Sequence, residues 1–313
     1  VGFLVRNRSY LMYDMRPCRN KLLNINFIFS TMMKYVLIKG LFVASLLLII
    51  FSFDYRSSDS RAYDKSDSVK DEVNKFSKDP SAIRILSYNV KHCEGMDRII
   101  NYNRIGHIIS SLNADFICLQ ELDSCTTRSN NIDQLLMLSE ETQMNGYFGK
   151  AIFFQNGKYG VGILSKESAI STYNYSLPGD EARTVLVAEY PNLVIMSTHL
   201  GLKEENRLES IKILTDKAKE FSKPVFMAGD FNENNFTGDV FNELNKNWTL
   251  ISAKENTFST GSPKVCIDFV FSLNNKEMNT TENLGSSVVY ALPDVNVSIA
   301  SDHYPVFTDV KIN

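Results

Sequence analysis

From Ile83 onward the sequence predicts an α/β domain in which two sheets pack face to face with helices outside. Three observations carry this reading. Short β-like runs alternate with amphipathic helical stretches. Many of the β-like runs follow one another closely. Run after run ends in polar, chemistry-bearing residues, which marks one edge of the sheets as a site.

The elements follow in order. The run 83–89 alternates and ends in Asn89. The stretch 98–112 sets Ile99, Ile105, Ile108, Ile109 and Leu112 at helical spacing. Run 115–120 is almost continuously apolar and leads into Gln120-Glu121, and a second helix over 131–144 is built on Ile132, Leu135, Leu136 and Leu138. Strands are expected at 148–154, 160–165, 183–190 and 193–198, the last leading into His199. A long helix over 203–221 carries Glu204 and Glu205 early and Lys217 and Lys219 late, which suits the helix dipole. Strand 224–229 runs into Gly229-Asp230-Phe231-Asn232. A weaker helix over 237–246 and strands at 265–271, 286–291 and 305–311 complete the pattern. No internal repeat is visible. Gly160 and Gly162 open a strand with no helix after it, so they are not a nucleotide loop.

The polar strand ends supply Asn89, Glu121, His199, Asp230 with Asn232, Asp268, and the pair Asp302-His303. An Asp-x-Asn pair alone is more often a turn, and a lone Glu after a strand is more often a surface carboxylate. The repetition at successive strand ends outweighs both. Hydrolysis of an anionic phosphate ester needs a cation, a base for the water and donors for the phosphoryl oxygens. Glu121 is a hard oxygen ligand suited to Mg²⁺, and Asn89 can add a neutral oxygen. Asp230 is the candidate to orient or deprotonate the water, with Asn232 donating to a phosphate oxygen. Asp268 would pair with His303 and favour its imidazolium, and His199 is a second donor. Arg128 and Arg183 are candidates for a substrate phosphate, with a solvated or ion-paired cation as the plain alternative. His107 reads as a surface helix residue and His92 as a rim residue. Zinc chemistry is disfavoured, because Cys/His ligand spacing is absent.

The ordered set Ser87-Tyr88-Asn89, Leu119-Gln120-Glu121, Ser197-Thr198-His199-Leu200, Gly229-Asp230-Phe231-Asn232, Ile267-Asp268-Phe269-Val270 and Ser301-Asp302-His303-Tyr304-Pro305-Val306 resembles the endonuclease/exonuclease/phosphatase superfamily. That group includes pancreatic-type deoxyribonucleases, abasic-site endonucleases, neutral sphingomyelinases, inositol polyphosphate 5-phosphatases and deadenylases. The resemblance spans roughly residues 83–313. It implies a four-layered α/β/β/α sandwich with the site at one edge of the sheets. It also implies Mg²⁺, or Mn²⁺ in its place, with Glu121 as principal ligand and Asn89 and Asp302 close by, and a phosphate ester as substrate. It does not separate DNA, RNA, phospholipid and sugar phosphate. A catalytically silent binding module of the same fold would have lost Glu121, Asp230 or His303, and all three are present.

The chain has 313 residues, 44% of them apolar, and a formal net charge of −3. From Ile83 onward there are 20 Lys and Arg against 28 Asp and Glu, a net of −8. No basic stripe is visible, which argues against tight nucleic-acid binding. A monomer is expected. Residues 32–53 place a short basic flank before an apolar run and read as a signal peptide or signal anchor, so an exported, membrane-anchored or periplasmic chain is expected. Residues 1–31 read as a leader preceding the natural start, and 54–82 as a polar linker to a catalytic domain over 83–313. Of the five cysteines, Cys18 falls in the leader. Cys118 and Cys266 suit the core, and export opens a pairing of Cys93 with Cys125.

Overall fold

The computed structural model describes residues 76–274 and 281–312. The predicted leader, the apolar segment 32–53 and most of the predicted linker lie outside the described residues. Among those described, no helix is long and apolar enough to cross a membrane.

Among the described residues, twelve strands form two six-stranded sheets. The strands of the first sheet are β1 (Ile83–Asn89), β2 (Phe116–Ser124), β3 (Asn145–Phe154), β4 (Gly157–Ser165), β11 (Thr281–Val288) and β12 (Val306–Ile312), ordered β11-β12-β1-β2-β4-β3. The second sheet holds β5 (Ser171–Leu177), β6 (Arg183–Glu189), β7 (Val194–His199), β8 (Val225–Asp230), β9 (Trp248–Leu250) and β10 (Asp268–Leu273), ordered β5-β6-β7-β8-β10-β9. Both sheets share one pairing pattern. A single parallel pair, β1 with β2 or β7 with β8, lies inside otherwise antiparallel neighbours. The repeat invisible in sequence is thus present in topology.

Side-chain alternation makes the layers. Ile85, Phe116, Cys118, Ile195, Phe226, Ala228 and Val270 form an apolar cluster shared by the two sheets. Their strand neighbours Leu86, Ile117 and Leu119 pack with Ile105, Ile108 and Leu138 of helices α1 (Tyr102–Ser111) and α2 (Gln134–Thr142). On the far side, Val194, Met196, Met227 and Phe269 pack with Ile211, Leu214, Val240 and Phe241 of α3 (Glu204–Ala218) and α4 (Asp239–Leu244). The result is the expected four-layer α/β/β/α sandwich. A one-turn helix α5 (Val297–Ala300) precedes β12.

Local chemistry sets the helix starts. Asn101 accepts from the Arg104 N–H at 2.9 Å, and Asp133 accepts from the Leu136 N–H at 3.1 Å. Helix α3 has no side-chain cap and carries Glu204 and Glu205 in its first turn instead. Gly229 is required by the parallel pairing: a Cβ there would lie 2.1 Å from the Thr198 carbonyl oxygen.

Residues 76–82 are held against the domain. The buried Arg84 guanidinium donates to the Phe76 carbonyl at 2.8 Å and pairs with both Asp309 oxygens at 2.7 Å, while Lys78 reaches Asp115 at 2.5 Å. Cys93 does not pair with Cys125. Its thiol is free and fully buried in the apolar cluster under the α1–α2 face. Cys118 and Cys266 are free and buried, as expected of core residues.

Candidate active site

One edge of the sandwich collects the polar strand ends. Asn89 closes β1 opposite Gln120 of β2, and His199 closes β7 opposite Asp230 of β8. Strand β10 runs antiparallel to β8, so its first residue, Asp268, pairs with Asp230. Strand β12 runs antiparallel to β1 with Val306 opposite Ser87, which brings the preceding Asp302 and His303 to the same edge. Alternation from Ile85, Ile195, Ala228 and Val270 turns Asn89, His199, Asp230 and Asp268 towards the space between the sheets.

Glu121 reaches that space by a different route. The strand does not stop at Gln120 but continues to Ser124. Leu119 opposes Gly162 and Leu122 opposes Gly160, so Gln120 and Glu121 together oppose one residue of β4. This is a β-bulge, and Glu121 takes the left-handed conformation with φ of 60°. Leu119 and Leu122 both pack on the helix side. The extra residue therefore frees Glu121 from the helix side that strict alternation after Leu119 would give it.

Asp230 is the centre of the resulting network. Its Oδ2 accepts from the Asn89 amide at 3.1 Å and lies 3.5 Å from His199 Nε2 and 3.6 Å from His303 Nε2. Its Oδ1 accepts from the Asn232 N–H at 2.9 Å. The Asn89 amide also lies 3.3 Å from Glu121 Oε1. On the other side of His303, Nδ1 meets Asp268 Oδ2 at 2.8 Å, and the Thr257 hydroxyl donates to the same oxygen at 2.5 Å. The Ser301 hydroxyl donates to the Asn89 carbonyl at 2.7 Å and so ties the β12 approach to the end of β1. Phe258 covers the His303 ring at a centroid distance of 4.8 Å.

The two histidines are driven apart electrostatically. Burial holds His199 down to about 4 against the pull of Asp230, so it is neutral near pH 7. Burial also opposes the charge on His303, but Asp268 and Asp230 outweigh it and raise the imidazole to about 10. One ring is a neutral donor and the other a cation. Burial raises the Glu121 carboxyl, the Asn89 amide opposes this, and the charges of Asp302 and Asp230 raise it further.

Among the described residues, one cluster has the spacing of a metal site. Ligand atoms of Asp230, Asp268 and His303 lie within 4.8 Å of one another. A protonated His303, hydrogen-bonded to Asp268 through Nδ1 and facing the Asp230 carboxylate with Nε2, has no lone pair to give, so these three read better as a line of alternating charges. Glu121 and Asp302 are hard oxygen donors whose charges oppose each other, and a hard divalent cation between them would relieve that repulsion. Asn89 differs from the expected oxygen ligand. Its oxygen accepts from the Lys91 N–H at 3.1 Å, and its nitrogen faces the carboxylates. A half-turn of the amide exchanges the two atoms.

The remaining expected residues stand at the margin. Asn232 uses an amide N–H on the Leu200 carbonyl at 3.0 Å. Arg183 pairs with Glu181 at 2.6 Å and lines a small cleft with Tyr159 and His199. Arg128 is bound to both oxygens of buried Asp123, at 2.7 and 2.9 Å, and lies over Phe154, so it is committed within the protein rather than standing as an unpaired cation. His107 is exposed, and His92 lies 3.5 Å from Glu94, with its carbonyl accepting from the Gln134 amide at 2.6 Å. Thr257, Ser301 and Tyr159 were not foreseen. Ser301 adjoins the Asp302-His303 pair, but nothing in the irregular stretch before β10 marks Thr257.

Residues 86–303 match the Endonuclease/Exonuclease/phosphatase family, and the chain belongs to it. Members of this family are generally phosphoesterase hydrolases. Among solved structures the fold is similar to an endonuclease/exonuclease/phosphatase from Bacteroides vulgatus, at 17% identity over 74% of this chain and 99% of that one, with a TM-score of 0.61. It is also similar to the mannosyl-6-phosphatase Bt3783 of Bacteroides thetaiotaomicron, at 16% identity over 73% and 99%, with a TM-score of 0.58. A third is D. rerio TDP2 complexed with a single-strand DNA product, at 17% identity over 74% and 99%, with a TM-score of 0.54. No curated protein matches the sequence.

Proposed function

We propose that this chain is a metal-dependent phosphoesterase, with a phosphodiester as the favoured substrate. The observation that carries the reading is the buried line Asp268–His303–Asp230, joined through Asn89 to Glu121. Asp230 orients the attacking water and takes its proton. Attack forms the new P–O bond and expels the ester oxygen. His303, held as a cation by Asp268, offsets charge on the phosphoryl oxygens, and neutral His199 and the second N–H of Asn232 donate to them. Glu121 and Asp302 would hold Mg²⁺ or Mn²⁺, with the Asn89 amide beside them donating to Glu121 and Asp230. Such an ion supplies charge neutralisation at the phosphate.

The net charge of −8 from Ile83 onward favours substrates other than long nucleic acids. The basic flank and apolar run of residues 32–53 favour an exported or membrane-tethered enzyme acting outside the cytoplasm. A substrate panel tests the activity. It takes single- and double-stranded DNA, RNA, sphingomyelin, phosphatidylinositol, sugar phosphates and aryl phosphate mono- and diesters, each with Mg²⁺ and with EDTA. Turnover of one class that stops with EDTA is expected. No turnover on any of them, or turnover indifferent to EDTA, contradicts the reading.

A further inference from the structure

We infer that the buried ion pair Arg207–Glu233 positions the catalytic loops of His199, Asp230 and Asn232, an inference that rests on the phosphoesterase reading. Arg207 lies in the first turns of α3 and is 8% exposed, and Glu233 follows Asn232 and is 5% exposed. The guanidinium reaches Glu233 at 3.1 Å. It also donates to the carbonyls of Gly201 and Leu202, in the loop that leaves His199. The other Glu233 oxygen accepts from the Asn234 and Asn235 N–H groups at 2.9 and 2.7 Å. One pair thus holds both the loop after β7 and the loop after β8.

Those two loops are also joined directly beside the site. The Leu200 N–H donates to the Asp230 carbonyl at 2.9 Å, and the Asn232 amide donates to the Leu200 carbonyl at 3.0 Å. Asn232 itself sits in the left-handed region with φ of 50°, so the chain turns back sharply after Asp230. The Glu233 carboxylate fixes where that turn goes. A buried ion pair costs desolvation, and an apolar pair of similar volume often leaves stability unchanged or raised. The pair is therefore weak evidence of a stabilising role. The forked geometry of a guanidinium, which reaches two carbonyls and a carboxylate together, is what an apolar or ammonium side chain cannot reproduce.

The test uses the full chain with Arg207→Met/Glu233→Leu, which removes both charges together, and Arg207→Lys. The single Arg207→Met would strand a buried carboxylate and is avoided. Two quantities are read: amide hydrogen exchange, and steady-state kinetics on the substrate found by the panel. In the double variant the Leu200 and Asn232 amides are expected to exchange at least tenfold faster, while Met196 and Met227 in the strands keep parent rates. The kcat falls by about tenfold with KM unchanged, and Arg207→Lys lies between. Parent-like exchange at Leu200 and Asn232, or acceleration spread evenly over the strands, overturns the positioning role. So does a parent-like kcat. Exchange needs no substrate, so a chain inert on the whole panel refutes the phosphoesterase reading while the loop clamp is still decided by exchange alone.

Discussion

The His303 imidazole stands between two carboxylates, with Nδ1 2.8 Å from Asp268 and Nε2 3.6 Å from Asp230. Asp268 has a side-chain exposure of 0%, and the Thr257 hydroxyl closes over the oxygen that His303 uses. The relation sets both the charge of the ring and the direction in which it faces. Asp268→Asn keeps the size and changes the partner at Nδ1 from a carboxylate to an amide. It should lower kcat by on the order of 10² or more. The KM should change little if His303 acts on the reacting phosphate, and parent-like turnover in this variant would remove His303 from the proposed chemistry.

Glu121 gains its place from the bulge rather than from a strand end, and its carboxylate adjoins those of Asp302 and Asp230. Glu121→Gln should raise the Mg²⁺ concentration needed for half-maximal rate, with a smaller loss at saturating metal. A metal titration of parent and variant checks this. Identical titration curves would place the metal elsewhere.

Burial of neutral His199 has a pH signature. Its folded-state value, about 4, lies below its ordinary 6.5. The unfolded chain therefore takes up the proton first as pH falls, and the stability due to His199 is lost between about 6.5 and 4. Denaturant melts in EDTA across that range should show falling stability in the parent and a flatter profile in His199→Gln. Equal slopes in the two would mean that His199 is not buried neutral.

The N-terminal boundary can be tested by truncation. A chain beginning at Phe76 should melt as the domain does in the parent. One beginning at Ser81 loses the Phe76 and Ser77 carbonyls that accept from buried Arg84, and the Lys78–Asp115 pair. The stranded donors should cost about 1–3 kcal/mol. Calorimetry of the two chains decides, and matching melting temperatures would make residues 76–80 dispensable.

Much of the site was legible because its chemistry fixes residue types at strand ends. Asn89, His199 and Asp230 sit where alternation and an abrupt polar residue place them. The Glu121 bulge was not legible, since the strand continues through the polar stretch Gln120 to Ser124 and only packing of both Leu119 and Leu122 on the helix side reveals the extra residue. Strand β5 reads Ser-Thr-Tyr-Asn-Tyr-Ser-Leu, a mostly polar edge segment with only Tyr173, Tyr175 and Leu177 to mark its buried side. Strand β9 has three residues, too few for a period. The docking of Phe76 and the partners Arg207, Glu233 and Thr257 depend on contacts between distant segments, which no local pattern carries.

The central claim is metal-assisted hydrolysis with Asp230 acting on the water. It is tested most directly by measuring turnover of the panel substrate in parent and Asp230→Asn, each with Mg²⁺ and with EDTA. The account predicts parent activity only with Mg²⁺ and a fall of on the order of 10² or more in Asp230→Asn at saturating Mg²⁺. Parent activity that survives EDTA, or an Asp230→Asn chain as fast as the parent, would contradict it.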